Sequence, residues 1–370
     1  MTFARTTRLA LAATGVAVMA ACSDNGSAAP PTVQPVPTVS VQPSVTESAA
    51  TGTPDLGSPE TIATGLEVPW GLAFLPDGSA LVAERDSGRI LQVTEGAQPR
   101  EVYRVAGVDA GGEGGLLGLA VAADYAETRW VYAYFTASGD NRIVRFKLDG
   151  GGQPEVIFDG ITKGGRHNGG RIAFGPDRML YVGTGDASEE PRSQDRDDPS
   201  GKILRLTPEG RPAPGNPWPG SPVWSMGHRN VQGLAWDDQG RMYGIEFGQN
   251  TWDEVNVIQP GKNYGWPDVE GRGDDSRYEN PIVQWRTDDA SPSGAAVSGD
   301  TLYVAALRGE RLWTVPLNGG TTEARFTGKY GRLRTVAVAP DGSLWLTTSN
   351  RDGRGDPRDD DDRILRFPAR

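Results

Sequence analysis

The stretch R-I-A-F-G-P-D-R-M-L-Y-V-G-T-G-D, residues 171–186, joins a short strand with alanine in third place to a turn and a second apolar strand. The first part of this unit occurs six times in the chain. The copies are G-L-A-F (71–74), G-L-A-V (118–121), R-I-A-F (171–174), G-L-A-W (233–236), G-A-A-V (294–297) and T-V-A-V (335–338). Successive alanines are 41 to 62 residues apart, which is the length of one four-stranded propeller blade with its loops.

A third strand follows in each copy, as in R-I-L-Q-V (89–93) and R-I-L-R-F (363–367). The 370 residues include 50 glycines and 28 prolines, and no long stretch has helical periodicity. We therefore predict an all-β fold, a six-bladed β-propeller of four-stranded antiparallel blades. A β-sandwich, the alternative, would not explain six copies with one internal order.

The two ends of the propeller are predicted to meet in one blade. The last copy ends with its third strand and lacks a fourth. The segment E-T-I-A-T-G-L (60–66) resembles E-V-I-F-D-G-I (155–161), which precedes the third repeat alanine. We expect residues 60–66 to supply the outer strand of the C-terminal blade, because this pairing removes an exposed sheet edge.

Residues 1–22 have the pattern of an export signal. Arg5 and Arg8 precede an apolar run from Leu9 to Ala20, which is short for a membrane span and is followed by Cys22, the only cysteine. The segment resembles a bacterial lipoprotein signal. We therefore expect an exported protein that Cys22 anchors by lipid to the cell membrane, facing the extracytoplasmic side. An ordinary signal peptide with a chance cysteine is the alternative.

Residues 23–59 are rich in Pro, Ser, Thr, Ala and Val and are predicted to be a disordered tether before a propeller domain at 60–370. The net charge of −11 argues against a nucleic-acid partner. Because no cysteine follows Cys22, the domain has no internal disulfide, and its stability must come from burial in a large β structure.

Polar residues recur at matching distances from the repeat alanines. Because the second strand of a blade returns to the rim where the first began, these residues are predicted to surround the mouth of the central channel on one face. Those before an innermost strand are Glu113, His167, Arg229, Asn230, Arg332 and Arg334, and those ending a second strand are Asp186, Gly248 and Arg308.

His167 and Asp186 are predicted to form a general base. The chain has two histidines, His167 and His228, and both lie at this rim. Asp186 would hold one ring nitrogen of His167 and fix its tautomer. With no serine or cysteine nucleophile nearby, the pair indicates a general base and not a covalent catalyst. A capped loop histidine is the alternative for His167, and for His228 a structural role is favoured.

Four arginines lie on one rim of an acidic protein, and their positive charges are expected to have negatively charged partners. Guanidinium groups match carboxylates in bidentate fashion, so we predict that several of them face a polyanionic small ligand. Structural bridges to Glu113 and neighbouring aspartates are the alternative. The four are Arg229, Arg308, Arg332 and Arg334.

The stretch E-F-G-Q-N-T-W-D-E-V-N-V-I-Q-P-G-K-N-Y-G-W-P (246–267) has the chemistry of a hard-cation site. A turn at 248–250 would present backbone carbonyls, and Asp253 and Glu254 follow it. Such oxygen ligands suit Ca²⁺, although the spacing fits no EF-hand loop. The acidic run at 359–362 is instead expected to be a solvated loop.

As a set, the rim motifs resemble the glucose/sorbosone dehydrogenase family, soluble quinoproteins that use pyrroloquinoline quinone (PQQ). The compact loops are more similar to its aldose sugar dehydrogenase branch than to the larger glucose dehydrogenases. The matching pieces, spread in order over roughly residues 60–368, are P-W-G-L-A-F-L-P-D-G (69–78), G-E-G-G-L-L-G-L-A (112–120), R-H-N-G-G-R-I-A-F-G-P-D (166–177), G-T-G-D (183–186), S-M-G-H-R-N-V-Q-G (225–233), the 246–267 stretch and R-L-R-T-V-A-V-A-P-D-G (332–342).

The resemblance implies oxidation of the C1 hydroxyl of an aldose to a lactone by hydride transfer to PQQ, with an external electron acceptor. His167 would remove the hydroxyl proton, Asp186 would orient it, and Arg229 would stabilise charge on the quinone. Residues implied to contact PQQ are Asn230, Arg308, Arg332 and Arg334. Residues implied to bind Ca²⁺ are Gly248 and Gln249 through their carbonyls at the quinone, and Glu254 with the carbonyl of Tyr264 at a second, structural site.

Three positions depart from the family pattern. Gln249 stands where proline is frequent, Arg308 stands where lysine is common, and Glu113 replaces a glutamine that touches substrate. Two other functions compete with the dehydrogenase: a non-catalytic surface propeller that binds glycan or protein, and a Ca²⁺-dependent propeller lactonase. The arginine-rich rim argues against the lactonase.

Overall fold

The computed structural model describes residues 1, 30–37, 52–149 and 153–370. Its described part contains six four-stranded antiparallel sheets, each of them one blade. The all-β, six-bladed propeller predicted from the repeat is confirmed. Two strands precede the first blade, β1 (Thr32–Val33) and β2 (Glu60–Ala63).

The first three blades use consecutive strands, from the channel outward. Blade 1 consists of β3 (Pro69–Phe74), β4 (Ala80–Glu84), β5 (Arg89–Val93) and β6 (Arg100–Arg104). Blade 2 consists of β7 (Leu116–Val121), β8 (Val131–Thr136), β9 (Asn141–Phe146) and β10 (Glu155–Ile161), with the short helix α1 (Tyr125–Thr128) after β7. Blade 3 consists of β11 (Ile172–Phe174), β12 (Leu180–Gly183), β13 (Lys202–Leu206) and β14 (Val223–Met226), with a 3₁₀ turn at Glu190–Gln194.

The last three blades follow the same order until the chain ends. Blade 4 consists of β15 (Val231–Trp236), β16 (Met242–Glu246), β17 (Trp252–Ile258) and β18 (Val283–Arg286). Blade 5 consists of β19 (Pro292–Ser298), β20 (Thr301–Ala306), β21 (Arg311–Pro316) and β23 (Glu323–Arg325), with the short strand β22 (Gly320–Thr321) before β23. Blade 6 consists of β24 (Leu333–Val338), β25 (Leu344–Thr348) and β26 (Ile364–Phe367), and β2 is its outer strand.

The predicted ring closure is confirmed. Strand β2 pairs antiparallel with β26, so that Glu60 lies opposite Arg366 and Thr61 opposite Leu365. The guanidinium of Arg366 also lies 2.9 Å from the carboxylate of Glu60. The innermost strand β24 contacts β3 of the first blade. Both ends of the domain therefore belong to blade 6.

Glycines set the spacing between adjacent blades. A Cβ atom added to Gly71, Gly118 or Gly233 would lie 2.2–2.4 Å from a backbone oxygen of the next blade. Each glycine lies two residues before a repeat alanine. The innermost strands therefore touch through their backbones at this position, which a side chain would block.

A β-bulge recurs at the same point of most blades, near the start of the innermost strand. In five of the six described blades, the pairing of the innermost strand with the second strand shifts register near the start of the innermost strand. A bulge changes the direction of the side chain it carries. The residues three before the repeat alanine lie in these bulges: Trp70, Leu117, Gln232, Ser293 and Arg334.

Part of the segment expected to be a disordered tether is ordered on the propeller. Strand β1 pairs with β22, and Pro54 forms an isolated bridge with Ala369. The apolar side chain of Val33 is buried, which offsets the entropy cost of ordering the segment. Cys22 and the predicted signal segment around it lie outside the described residues, as does the stretch 38–51. Within the described part, no helix is long and apolar enough to cross a membrane.

The acidic run at 359–362 is only in its first half the solvated loop that its composition predicts, since Asp359 and Asp360 are exposed. Asp361 and Asp362 are fully buried. Asp362 accepts hydrogen bonds from the backbone N–H groups of Asn350 and Arg351 (2.6 and 3.3 Å). Asp361 accepts bonds from the Asn350 amide and the Arg358 N–H group. These hydrogen bonds compensate for the burial of the two carboxylates, which thereby hold the loop that follows β25.

Candidate active site at the channel mouth

Two adjacent cavities lie where the innermost strands begin. The larger is lined by residues that include Glu113, Arg334 and Asp352. The smaller is lined by residues that include Arg229 and Glu254. Phe247 borders both cavities. Residues from several blades therefore meet at one rim, as the repeat geometry predicts.

Three loops are held together by backbone bonds around the predicted base. The N–H group of Asp186 donates to the carbonyl of Arg229 (2.9 Å), and the N–H group of Ala187 donates to the carbonyl of His167 (3.1 Å). A Cβ atom on Gly185 would lie 1.9 Å from the carbonyl oxygen of His167. Glycine is required there because the two loops of blade 3, one before β11 and one after β12, touch through their backbones.

His167 and Asp186 form the predicted pair. The Nδ1 atom of His167 lies 2.7 Å from the Oδ1 atom of Asp186, whose carboxylate is fully buried. The second oxygen of Asp186 accepts a bond of 2.8 Å from the indole nitrogen of Trp266, and the Ser188 N–H group donates to Oδ1. Because the carboxylate fixes the proton on Nδ1, the lone pair of the neutral imidazole is on Nε2. This is the arrangement of a general base.

The backbone of His167 is in the left-handed region, with φ of 59°. Its N–H group donates to the Oε2 atom of Glu113 (2.9 Å). The Oε1 atom of Glu113 is 3.1 Å from the guanidinium of Arg354, in the loop after β25. Glu113 therefore links the base to blade 6 across the mouth.

Arg229 and Asn230 present polar atoms that have no partner among the described residues. The Nε atom of Arg229 and the Nδ2 atom of Asn230 are buried and make no hydrogen bond there. The Arg229 guanidinium lies 5.3 Å from the centre of the Trp266 ring and donates to the Phe247 carbonyl (3.3 Å). Burial lowers the pKa of Arg229 because it disfavours the charged form.

His228 has the structural role expected of it. Its ring nitrogens contact the Glu246 carboxylate and the Ser225 hydroxyl, both at 2.8 Å. The second oxygen of Glu246 accepts a bond from the Arg229 N–H group (2.9 Å). His228 therefore helps to hold the carboxylate that positions the Arg229 backbone.

Arg332 and Arg334 share one carboxylate. Arg332 donates twice to the Oδ2 atom of Asp352 (3.0 and 2.9 Å), whereas Arg334 lies 3.8 Å from that atom. Arg334 donates to Gln232 (3.0 Å), and its Nε atom is buried without a partner in the described part of the chain. Two guanidinium groups share one carboxylate, so a net positive charge remains beside the cavity that Arg334 lines. Burial lowers the pKa of Arg334 to about 9.

A further arginine lies beside this pair. Arg171 donates to the carbonyl of Gln232 (2.8 Å) and to the hydroxyl of Thr335 (3.1 Å), and its guanidinium lies 4.3 Å from the Trp70 ring centre. Arg334 lies 5.6 Å from the same ring centre. The channel floor is thus cationic as well as aromatic, and burial lowers the pKa of Arg171 to about 9.

Arg308 is the one predicted arginine outside this buried group. Its side chain is 60% exposed and lies 2.6 Å from Asp288. The repeat places its backbone at the mouth, next to Leu307, which lines the cavity. Contact between the Arg308 guanidinium and a ligand stays a prediction.

The carboxylate of Glu270 holds the turn at 248–250, which is predicted to bind a cation. The Oε1 atom of Glu270 accepts four backbone N–H bonds, from residues 249–252, at 2.7–3.1 Å. In a trans peptide the N–H and C=O groups point in opposite directions. The carbonyls of Gly248 and Gln249, which share peptide bonds with the N–H groups of 249 and 250, therefore point away from Glu270. Backbone carbonyls are among the oxygen ligands that a hard cation takes.

Glu254 and Tyr264 line the smaller cavity together, as the second calcium prediction requires. The Glu254 carboxylate is bonded by Asn256 and by the Gly271 N–H group. Burial, together with the nearby Glu246, raises the pKa of Glu254 well above its usual range. Among the described residues, no three His, Cys, Asp or Glu side chains form a metal-binding group. Both calcium sites therefore stay predictions that depend on carbonyl ligands.

Some site residues were missed although the repeat locates them. Arg85, which lines the larger cavity, lies twelve residues after Ala73, as Arg308 does after Ala296. Gln232 lies three residues before its repeat alanine, as Arg334 does. Other residues come from loops without a counterpart in the repeat, and no sequence pattern points to them: Trp266, Glu270, Asp352 and Arg354.

Known proteins match this chain along most of its length. The family model "Glucose / Sorbosone dehydrogenase" matches residues 66–365. The PQQ-bound aldose sugar dehydrogenase of Streptomyces coelicolor is 54% identical, with a TM-score of 0.82, and the match covers 87% of this chain and 99% of that one. The aldose sugar dehydrogenase YliI of Escherichia coli is 28% identical over 83% of this chain and 94% of its own. Quinoprotein glucose dehydrogenase B of Acinetobacter calcoaceticus is 31% identical over 59% of this chain and 54% of its own.

Proposed function

Because the chain belongs to the glucose/sorbosone dehydrogenase family, we propose that it is a PQQ-dependent dehydrogenase that oxidises the C1 hydroxyl of aldose sugars to lactones. The name of its 54% identical structural relative supports both the cofactor and the substrate class. One observation in this chain carries the proposal. The imidazole–carboxylate pair lies at the same mouth as three buried nitrogen atoms that have no partner among the described residues, Arg229 Nε, Asn230 Nδ2 and Arg334 Nε.

The residues fit PQQ. A buried donor without an acceptor is costly, so such atoms indicate a bound group that supplies oxygen atoms. PQQ has three carboxylates and a quinone, and the mouth offers a surplus of guanidinium groups for such an anion. Arg332, Arg334 and Arg308 would hold the carboxylates, and Arg229 and Asn230 would contact the quinone side. When bound, PQQ supplies the quinone that accepts the C1 hydrogen with its electron pair.

His167 performs the proton step. Its Nε2 atom accepts the proton of the C1 hydroxyl, while the Nδ1–H group stays bonded to Asp186. Trp266 and the Ser188 N–H group hold the Asp186 carboxylate in place, because both donate hydrogen bonds to it. The imidazolium that forms is stabilised by this buried charge.

Calcium and location complete the proposal. The carbonyls of Gly248 and Gln249 would bind Ca²⁺ at the quinone, and Glu254 with the Tyr264 carbonyl would bind a second ion. Cys22 would carry the lipid that anchors an exported protein to the cell membrane. Electrons would leave to an external acceptor.

The test is a titration of the purified protein with PQQ and Ca²⁺. Tight PQQ binding, reduction of the bound quinone's absorption by an aldose, and dye reduction that a calcium chelator suppresses are expected. Absence of PQQ binding together with inactivity over a broad sugar panel would overturn the proposal. Lactone hydrolysis without quinone, assayed in the same preparation, would indicate the lactonase alternative.

A further inference from the structure

The N-terminal segment 30–37 lies on the rim opposite the channel mouth. In blade 5, β19 starts at the mouth, β20 returns to it, and β21 leaves it again, so Gly320–Thr321 after β21 belongs to the far rim. Strand β1 pairs there, with Thr32 opposite Thr321 and Val33 opposite Gly320. The bridge between Pro54 and Ala369 lies on this far rim too, since Ala369 follows β26, which also leaves the mouth.

Backbone bonds attach the segment to two blades. The carbonyl of Pro31 accepts bonds from both the N–H group and the hydroxyl of Thr322, each at 3.1 Å. The N–H group of Gln34 donates to the carbonyl of Ile282 in blade 4 (2.9 Å). These contacts lie on both sides of Val33, so the segment is held at more than one point.

Apolar packing adds to these bonds. Val33 is buried in a cluster that contains Trp285 of blade 4 and Trp313 of blade 5, whose rings stack 5.1 Å apart. Val36 packs against the same cluster. The segment therefore covers the boundary between blades 4 and 5, and its buried apolar contacts are with residues of these two blades.

We infer that this docked segment orients the propeller on the membrane, with the channel mouth turned away from the lipid surface, so that a water-soluble electron acceptor meets it from the aqueous side. The inference rests on the proposed lipid at Cys22. An undocked tether of 37 residues, 23–59, would reach about 120 Å and leave the domain free to turn. Docking at residues 30–37 leaves seven residues, 23–29, between Cys22 and the docked segment, and seven residues span about 25 Å at most.

The length of this linker, residues 23–29, decides the orientation. A six-residue strand spans roughly 20 Å, so the mouth is about that distance or more beyond the rim that carries the segment. The linker of residues 23–29 reaches the far rim, but its maximum length is hardly greater than the height of the domain. It therefore keeps the far rim toward the membrane. A carrier dissolved in the bilayer would then not reach the mouth, whereas one dissolved in water would.

Energy transfer to labelled lipid tests this orientation without cofactor. The full chain is coupled to maleimide-bearing vesicles through the thiol of Cys22, and a fluorescent residue is introduced at Gln239 on the far rim or at Thr327 near the mouth, both exposed. Transfer from Gln239 is expected to exceed transfer from Thr327 several-fold. Val33→Asp should abolish the difference, and Thr32→Asp, at an exposed neighbouring side chain, should keep it.

Equal transfer from both positions in the unmutated chain would overturn the inference, as would a difference that survives Val33→Asp. In cells, a chain that is not in the membrane fraction, or that stays there after Cys22→Ser, would overturn the anchoring on which it rests. Neither readout depends on sugar oxidation. Failure of the proposed dehydrogenase activity is therefore distinguishable from failure of the orientation.

Discussion

The indole nitrogen of Trp266 donates a hydrogen bond of 2.8 Å to the Oδ2 atom of Asp186, and the other oxygen of that carboxylate holds His167. The bond joins a loop after β17 in blade 4 to the base in blade 3. Since the Trp266 ring also lies 5.3 Å from the guanidinium of Arg229, one side chain contacts both the base's orienting group and the predicted quinone-side cation. Trp266 is therefore a positioning residue.

Trp266→Phe should lower kcat about tenfold, because a hydrogen bond to a charged group contributes roughly 1.5–3 kcal/mol. KM and PQQ affinity should change much less, since phenylalanine keeps an aromatic ring beside Arg229. Steady-state kinetics and a PQQ titration measure the split. Trp285→Phe, at a buried indole in the core of blades 4 and 5, is the matched control and should leave kcat unchanged. Equal effects of the two substitutions would contradict a positioning role.

His167→Asn should reduce kcat by about 10² to 10⁴, the usual contribution of a general base. Asparagine is the better test than alanine because it tolerates the left-handed backbone at this residue, where φ is 59°. PQQ affinity and the thermal midpoint should stay close to those of the unmutated protein. Unchanged turnover in this variant would remove His167 from the base role.

Arg334→Gln should weaken PQQ binding by about 10- to 100-fold, because it removes a buried charge-assisted bond worth roughly 1.5–3 kcal/mol. The protein without PQQ should be stabilised, since the substitution removes a buried guanidinium that lacks a full set of partners. Fluorescence titration and thermal unfolding measure the two effects. Arg354→Gln, at an exposed arginine of the same mouth, is the control and should affect PQQ affinity much less. Opposite signs for affinity and stability identify a ligand-binding cation.

Glu113→Gln should lower KM for a neutral aldose by about threefold or more. A bound sugar removes water from this side chain, and an amide loses its water at a lower cost in free energy than a carboxylate. The amide oxygen would still accept the His167 N–H bond, so kcat should change little. Stability should change by less than about 1 kcal/mol, since the partner Arg354 is exposed. Arg354→Gln, which leaves the carboxylate unpaired, should raise KM instead. A shift of KM in the same direction in both variants would refute this account.

Lys202 should give the protein a pH-dependent stability above neutrality. Burial lowers its folded pKa from 10.5 to about 8, and its ammonium donates to the carbonyls of Arg192 and Ser200. Between pH 8 and 10.5 the unfolded chain binds the proton more strongly, so folding stability rises with pH in this window.

Relative to Lys202→Met, the unmutated chain should gain up to about 2 kcal/mol between pH 8 and 10 in urea unfolding. Lys147→Met, at an exposed lysine, should show no such change. A stability difference between the unmutated chain and Lys202→Met that does not vary with pH would exclude this role of Lys202.

The repeat explains why so much of the site is predictable. A residue at a fixed distance from a repeat alanine occupies a fixed place at the mouth, so His167, Asp186, Arg229 and Arg334 were located from spacing alone. Spacing fixes the backbone position but not the direction of a long side chain. Arg308 shows this, because its guanidinium lies out by Asp288.

Loops without a repeat partner escape prediction for a different reason. Asp352 and Glu270 are placed by tertiary contacts, the first by Arg332 and the second by the N–H groups of 249–252. The composition of residues 23–59 also gave a wrong prediction for residues 30–37, which are ordered. A segment rich in Pro, Ser and Thr suggests disorder, but Val33 finds an apolar seam between two blades that no local pattern reveals.

The pairing of Glu60–Ala63 with Ile364–Phe367 has a consequence for biogenesis. The first strand of the domain to be synthesised has no partner until the last one leaves the ribosome. Blade 6 therefore cannot be completed before Ile364–Phe367 has been synthesised. Removal of Ile364–Phe367 would leave Glu60–Ala63 without its pairing partner, so a truncation at one end of the domain also exposes the strand at the other.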